Sequence, residues 1–312
     1  MTSEALKGRD LLRLSDLAPD EVALLLDTAL EQKRAWASGE RSQPLAGKAI
    51  ALIFQKPSMR TRGSFEVACT RLGAAPIVLG GNDNVFSRGE TVYDTTKVLE
   101  RYCDAIVMRT FEQSLLVEIA DVARVPVVNA LTDDYHPCQG LADLLTIREH
   151  KGRLAGLTFA YVGDGNNMAN TYLEAGALTG MHVRIATPEG FEPSAEAISS
   201  AMEIARRTGA TIDVGHDATR AVQGADVVAA DTWASMGQEG EHDERVGVFE
   251  PFKVNEALMS CADANASFMH CLPAHRGEEV TDDVIDSDVS IVFDEAENRL
   301  HAQKALLSLI VA

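Results

Sequence analysis

Aromatic residues are scarce in this chain, at 5%, although hydrophobic residues make up 46% of it. A core drawn mainly from alanine, leucine and valine suits helices on sheets better than an aromatic-filled sandwich. Paired cysteines are missing as well. The five cysteines (Cys69, Cys103, Cys138, Cys261 and Cys271) contain no C-x-x-C pair, and their number is odd. No disulfide framework is expected, and a reducing compartment fits that usage. No His/Cys cluster has zinc spacing, so no protein-bound metal is expected.

Positive charge is in short supply: 28 Lys and Arg stand against 47 Asp and Glu, a formal net charge of −19. That argues against a nucleic-acid partner, since a phosphate backbone demands a broad basic surface. A small anion can still bind where basic residues cluster locally. The first residues, MTSEALKGRD, lack the apolar run of a signal peptide, and no stretch of ~18 apolar residues is present to span a membrane. The expectation is a cytoplasmic protein with no membrane partner.

What is present is alternation. Short apolar, β-branched runs occur at KAIALIF (48–54), APIVLG (75–80), DAIVMRT (104–110) and VPVVNA (125–130). A second series comprises LTFAYVGD (157–164), HVRIATP (182–188), TIDVGHD (211–217), ADVVAADT (225–232), ASFMHCLP (266–273) and VSIVFDEAE (289–297). Continuous apolar runs predict strands buried on both faces, and intervening helical patterns predict parallel sheets. LAPDEVALLLDTALEQKRAWA reads as a helix opening after Pro19 with acids in its first turn. HPCQGLADLLTIREHKG places Leu141, Leu144, Leu145 and Ile147 at helical spacing between the two strand series, as a connector would. AENRLHAQKALLSLIVA predicts a terminal helix with an apolar end. The expected fold is α/β with two domains, each a parallel β-sheet flanked by helices. Residues 1–148 form one domain and 149–298 the other, with a helix at about 299–312 packing back on the first.

Ligands of parallel sheets bind beyond the carboxyl ends of strands. There FQKPSMRTRGSFEVA (54–68) reads as a strand end followed by a helix start, with Ser58 a good N-cap. Basic residues at a helix start oppose the helix dipole unless an anion is present. The first N–H groups together with Arg60 suit a phosphate. The same residues would also serve an ordinary capped helix with solvated arginines. YVGDGNNMANT has Met168 where a dinucleotide fingerprint needs its third glycine, which weakens a nicotinamide reading. DTWASMGQEGE is a polar, glycine-containing loop, either a closing lid or plain surface. Cys271 in MHCLPAHRGEEVTDDVID and His136 before Pro137 each fit a structural or a functional role when taken alone.

Taken together, these motifs resemble one family. SMRTR at 58–62 is similar to the phosphate-binding Ser-Thr-Arg-Thr-Arg motif of the carbamoyltransferases, with Met59 at the second place. HPCQ at 136–139 resembles their His-Pro-x-Gln motif. HCLP at 270–273 and DTWASMG at 231–237 are similar to motifs of the ornithine-using rather than the aspartate-using branch. The resemblance runs in order over nearly the whole chain. It implies transfer of the carbamoyl group of carbamoyl phosphate to L-ornithine, giving L-citrulline and phosphate, a step of arginine biosynthesis or of a urea-type cycle. It also implies a homotrimer or a multiple of trimers, and no cofactor or metal.

Carried over by position, the resemblance implies that Ser58, Met59, Arg60 and Thr61 hold the phosphate. Arg109, His136 and Gln139 hold the carbamoyl group, with Arg60, Arg109, His136, Asp231 and Cys271 as the catalytic set. Asn167, Asp231, Ser235 and Met236 hold ornithine, while Cys271, Leu272 and Arg299 complete the site. The loop 80–91 departs from the family pattern, with Val85 where relatives carry a polar residue. Putrescine, N-acylated ornithine and aspartate are the rival acceptors. A nucleotide-dependent oxidoreductase and a non-catalytic homologue that binds the same ligands are rival classes.

Overall fold

The structure is a computed structural model and describes residues 6–80, 89–234 and 242–312. Helices and strands alternate through it as α1 (Pro19–Ala37), β1 (Ala49–Phe54), α2 (Met59–Leu72), β2 (Ala75–Gly80), α3 (Val92–Tyr102), β3 (Ala105–Arg109), α4 (Gln113–Val122) and β4 (Val127–Leu131). They continue as α5 (Pro137–Lys151), β5 (Thr158–Val162), α6 (Asn167–Thr179), β6 (His182–Ala186), α7 (Ala195–Thr208), β7 (Ile212–Gly215), α8 (Ala218–Val222) and β8 (Val227–Ala230). The last are α9 (His242–Phe249), α10 (Glu256–Met259), β9 (Ser267–His270), α11 (Asp282–Ile285) and α12 (Val292–Ile310). The chain divides into two units, one running to Leu145 and taking in Glu297–Ala312, the other Thr146–Ala296.

Unit 1 holds a parallel sheet of order β2-β1-β3-β4. Strand β3 is buried along its whole length, as its unbroken apolar run requires. Pro76 lies in β2, at the edge of the sheet, where a missing N–H costs no ladder bond. The register sets Phe54 beside Gly80 on one side and Arg109 on the other. Between Met108 and Arg109 the β3–β4 ladder shifts, so that Arg109 pairs with Leu131. A ladder irregularity re-aims side chains, and here it falls on an arginine of the carboxyl edge. Ser58 caps α2, its Oγ accepting from Thr61 N–H at 3.3 Å, and Gly73 ends the helix at φ 82°. Residues of α12 within this unit reach α1: Gln32 donates to Ser308 at 2.8 Å and Lys33 to Asn298 at 2.9 Å.

Unit 2 holds a parallel sheet of order β7-β6-β5-β8-β9. Its register aligns Val162 with Ala186 and Ala230, and Ala230 with His270, which brings the segments after β5, β8 and β9 to one edge. In α6, a Cβ on Gly176 would come within 2.0 Å of Val183 Cγ2, so only glycine lets this helix lie so close to β6.

One expected strand is corrected. VSIVFDEAE (289–297) forms a single bridge, Ser290 to Phe268, and α12 begins at Val292. Asp294 and Glu295 occupy the first turn of that helix, where negative charge complements the helix dipole. Those acids, rather than the β-branched residues ahead of them, decide the local structure.

Candidate active site

In unit 1 the loops after β1, β3 and β4 and one turn of α12 bring polar groups together. Arg299 donates to Gln139 Oε1 at 2.7 Å and to Thr61 Oγ1 at 2.8 Å. Arg109 reaches the same Thr61 hydroxyl at 3.4 Å. Gln139 in turn donates to Asp143 Oδ1 at 2.7 Å, one turn along α5. Two guanidinium groups thus converge on the first turn of α2, and all of Thr61, Arg109, Gln139 and Arg299 are buried. His136, at the start of α5, is buried beside them. Burial first, then the charges of Arg299 and Arg109, hold its pKa well below the ordinary 6.5, so the imidazole is neutral.

Met59 stands 80% exposed in that first turn, while Ser58 and Arg60 are half-buried. Among the described residues the Arg60 side chain has no hydrogen bond or ion pair. Lys56, which the sequence reading left out of the site, is buried at the same sheet edge. It pairs with Asp133 and sits 4.3 Å from the centre of the Phe111 ring. Its position directly behind a strand end was the available signal.

In unit 2 the chemistry is of opposite sign. Asp231, just past β8, accepts at Oδ1 from Cys271 Sγ at 3.2 Å and from Thr232 N–H at 2.8 Å. Its Oδ2 accepts from Asn166 Nδ2 at 2.8 Å. Asn166 also caps α6, its Oδ1 accepting from the N–H groups of Met168 at 2.9 Å and Ala169 at 3.3 Å. Asn167, which the sequence reading chose, follows Asn166 as the first residue of α6. An asparagine directly ahead of a helix is a cap by type, which was the signal for Asn166. Deeper in, Asp164 pairs with Arg245 at 3.0 Å, and Arg245 also donates to the Trp233 carbonyl at 2.7 Å. Burial pushes the Asp164 carboxyl up to about 6 in spite of Arg245. Ser235, Met236, Gly237 and Val85 lie outside the described residues.

Gly165 of YVGDGNNM has a packing explanation. A Cβ on Gly165 would lie 2.3 Å from the Phe191 carbonyl oxygen, and Gly165 N–H donates to that oxygen at 2.9 Å. The close approach serves the 191–193 backbone. The buried thiols of Cys69 and Cys138 are pushed up to about 12 by burial, which removes them as nucleophiles at neutral pH. Asp231, His270 and Cys271 bring donor atoms within 4.8 Å of one another, in the manner of a metal site. Both ring nitrogens of His270 are already engaged, however, one by Leu272 N–H at 2.9 Å and the other by Glu279 at 3.1 Å.

One α/β unit thus carries an arginine-lined helix start, suited to an anion, and the other a carboxylate–thiol pair, suited to a cationic group. The model of the aspartate/ornithine carbamoyltransferase carbamoyl-P binding domain matches residues 9–149, and that of the Asp/Orn binding domain matches 155–310. The chain belongs to the aspartate/ornithine carbamoyltransferase family. It is 54% identical over 302 residues to an ornithine carbamoyltransferase of Anoxybacillus flavithermus, covering 97% of this chain and 96% of that one. It is 51% identical over 307 residues to the Pyrococcus abyssi enzyme of the same name, covering 98% and 97%. The solved structure of ornithine carbamoyltransferase from Pyrococcus furiosus superposes with a TM-score of 0.96 at 50% identity, covering 98% of each chain.

Proposed function

We propose that this chain transfers the carbamoyl group of carbamoyl phosphate to the δ-amine of L-ornithine, releasing L-citrulline and phosphate. The observation that carries the reading is the convergence of Arg109, Arg299, Gln139 and Thr61, with a neutral His136, on the first turn of α2. Ser58, Met59, Arg60 and Thr61 hold the phosphate through backbone N–H groups, hydroxyls and one guanidinium. This is the anion site a helix start provides. Met59 contributes only its backbone there, in keeping with its exposed side chain. Arg109, His136 and Gln139 hold the carbamoyl group. As the amine attacks, negative charge grows on the carbamoyl oxygen, and donors already in place stabilise it without reorganising.

Asp231 and Asn167, with Ser235 and Met236, hold ornithine, Cys271 and the Leu272 carbonyl meet its δ-amine, and Arg299 serves the carbamoyl group. An ammonium is no nucleophile, so the δ-amine must shed a proton first. Asp231 and Cys271 orient the amine once that first proton has gone to solvent, and the departing phosphate is a base able to accept the second proton, which the nitrogen loses as the C–N bond forms. Direct attack needs no covalent intermediate, which makes Cys271 a positioning thiol. Residues 1–148, with the helix at about 299–312, are the carbamoyl phosphate domain, and 149–298 the ornithine domain. The protein works in the cytoplasm as a trimer or a multiple of trimers. No helix among the described residues is long and apolar enough to cross a membrane.

The test is product formation from carbamoyl phosphate with ornithine, putrescine, N-acetylornithine and aspartate in parallel. Citrulline from ornithine alone is the expected outcome. Preference for another amine overturns the roles of Asp231 and Cys271, and no product from any acceptor overturns the catalytic reading.

A further inference from the structure

The HCLP stretch after β9 is held in place by a residue that no motif singled out. Glu279 Oε1 accepts from His270 Nε2 at 3.1 Å and from His275 N–H at 2.5 Å. One carboxylate oxygen therefore ties down both ends of the segment Cys271, Leu272, Pro273 and Ala274. Within the segment, Leu272 N–H donates to His270 Nδ1 at 2.9 Å, which leaves Nε2–H as the donor to Glu279. Leu272 sits at φ 56°, a left-handed backbone that a branched residue adopts only when its surroundings over-determine it. Those surroundings are rigid. The Glu279 carbonyl accepts from Val254 N–H at 2.9 Å, Thr281 N–H donates to the Val254 carbonyl at 3.0 Å, and Glu295 accepts from His270 N–H at 2.9 Å. Glu279 and His270 are both fully buried. A buried carboxylate placed to receive both donors has a structural consequence one bond further on: it fixes where Cys271 presents its thiol to Asp231, at 3.2 Å.

We infer that Glu279 is a positioning residue of this enzyme, which sets the Cys271 thiol and the Leu272 carbonyl against Asp231 through His270 and the His275 backbone. The kinetic part of the inference rests on the ornithine role proposed for Asp231 and Cys271. The geometric part stands without it. Among the described residues Glu279 Oε2 has no hydrogen-bond partner. The amide nitrogen of a glutamine can take its place while the amide oxygen keeps both bonds.

The experiment uses the full chain with Glu279→Ala, Glu279→Asp and Glu279→Gln. Without substrates, alkylation by iodoacetamide is followed at Cys271 and, as the internal control, at Cys261. With substrates, KM is measured separately for ornithine and carbamoyl phosphate. In Glu279→Ala, loss of two bonds to a carboxylate speeds Cys271 alkylation about tenfold and raises KM for ornithine by a similar factor. Cys261 alkylation and KM for carbamoyl phosphate stay at wild-type values. Glu279→Gln restores Cys271 to the wild-type rate. Should the alanine variant not fold, Glu279→Asp keeps the charge but cannot reach both donors, and faster Cys271 alkylation is expected there too. An unchanged Cys271 rate in the folded Ala or Asp variant overturns the inference, as does a Gln variant no better than Ala. A wild-type chain that makes no citrulline would sink the proposed function and leave the substrate-free alkylation result to decide this one.

Discussion

The two sheet edges of this molecule face their chemistry with opposite charge. Unit 1 gathers Arg60, Arg109 and Arg299 around a helix start and keeps its histidine neutral. Unit 2 gathers Asp231 and Cys271 with a capping asparagine, and its buried arginine is turned inward onto Asp164 and the Trp233 carbonyl. A net charge of −19 describes neither edge. The difference teaches that ligand charge is read from the local assembly at strand ends, where a phosphate needs guanidinium groups and an amine needs a carboxylate.

The strongest way to break this comparison is to remove the cation that has no internal task. The Arg60 side chain has no hydrogen bond or ion pair among the described residues, so Arg60→Ala should leave the thermal midpoint within a degree or so of wild type. Turnover should fall about 10²–10³-fold, the usual cost of losing one preorganised electrostatic group. A variant that keeps its rate would show that the arginine edge does not hold the phosphate. The matching change in the other edge is Asp231→Asn. It removes the charge and sets an amide nitrogen against Asn166 Nδ2 or the Cys271 thiol. The expected result is kcat/KM for ornithine lower by about 10–100-fold with KM for carbamoyl phosphate unchanged. Equal losses for both substrates would erase the division of labour.

A smaller effect separates the edges by pH. His136 is held neutral in the folded protein, well below its ordinary 6.5. The unfolded chain therefore takes up a proton there before the folded one does. That contribution to stability is complete above about pH 6.5 and is lost as the pH falls. Thermal midpoints of His136→Gln and wild type, compared from pH 7.5 down to 5, should show wild type losing ground towards acid. A constant difference would mean that His136 takes up its proton as readily in the folded chain as in the unfolded one, and the burial that keeps it neutral would be refuted.

Much of this was legible in the sequence, for physical reasons that also explain what was not. Runs such as DAIVMRT and ADVVAADT announce strands because residues buried on both faces leave an unbroken apolar signature. VSIVFDEAE misled because three β-branched residues precede Asp294 and Glu295, whose place in a helix start becomes evident only with the helix itself. SMRTR and HPCQ were readable because each is local, a strand end and a helix start within a few residues. Asn166 and Glu279 were not singled out because their roles lie in pairs that only folding creates. Asn166 meets Asp231 across 65 residues of chain. Arg299 meets Thr61 across 238, and its place came from family resemblance alone.

The finest way to sharpen the comparison is Asp164→Asn, because its pH dependence runs opposite to that of His136. Burial raises the Asp164 carboxyl from 3.8 to about 6, with Arg245 offsetting only part of the desolvation. Between those values the folded chain keeps a proton that the unfolded chain has released. Stability from this group is therefore full below about pH 4 and declines as the pH rises to about 6, then levels off. The whole swing is at most about 3 kcal/mol, since each pKa unit corresponds to 1.4 kcal/mol. Asparagine does not titrate, so wild type should lose ground to Asp164→Asn between pH 4.5 and 6 and hold a steady difference above that. A difference that stays flat across the range would mean that Arg245 compensates Asp164 fully. The inward-turned arginine would then be a neutral brace for the Trp233 carbonyl rather than an incomplete repayment of a buried charge. Where the difference does vary, unit 1 weakens towards acid and unit 2 towards neutral pH, because one edge keeps a proton off a base and the other keeps a proton on an acid.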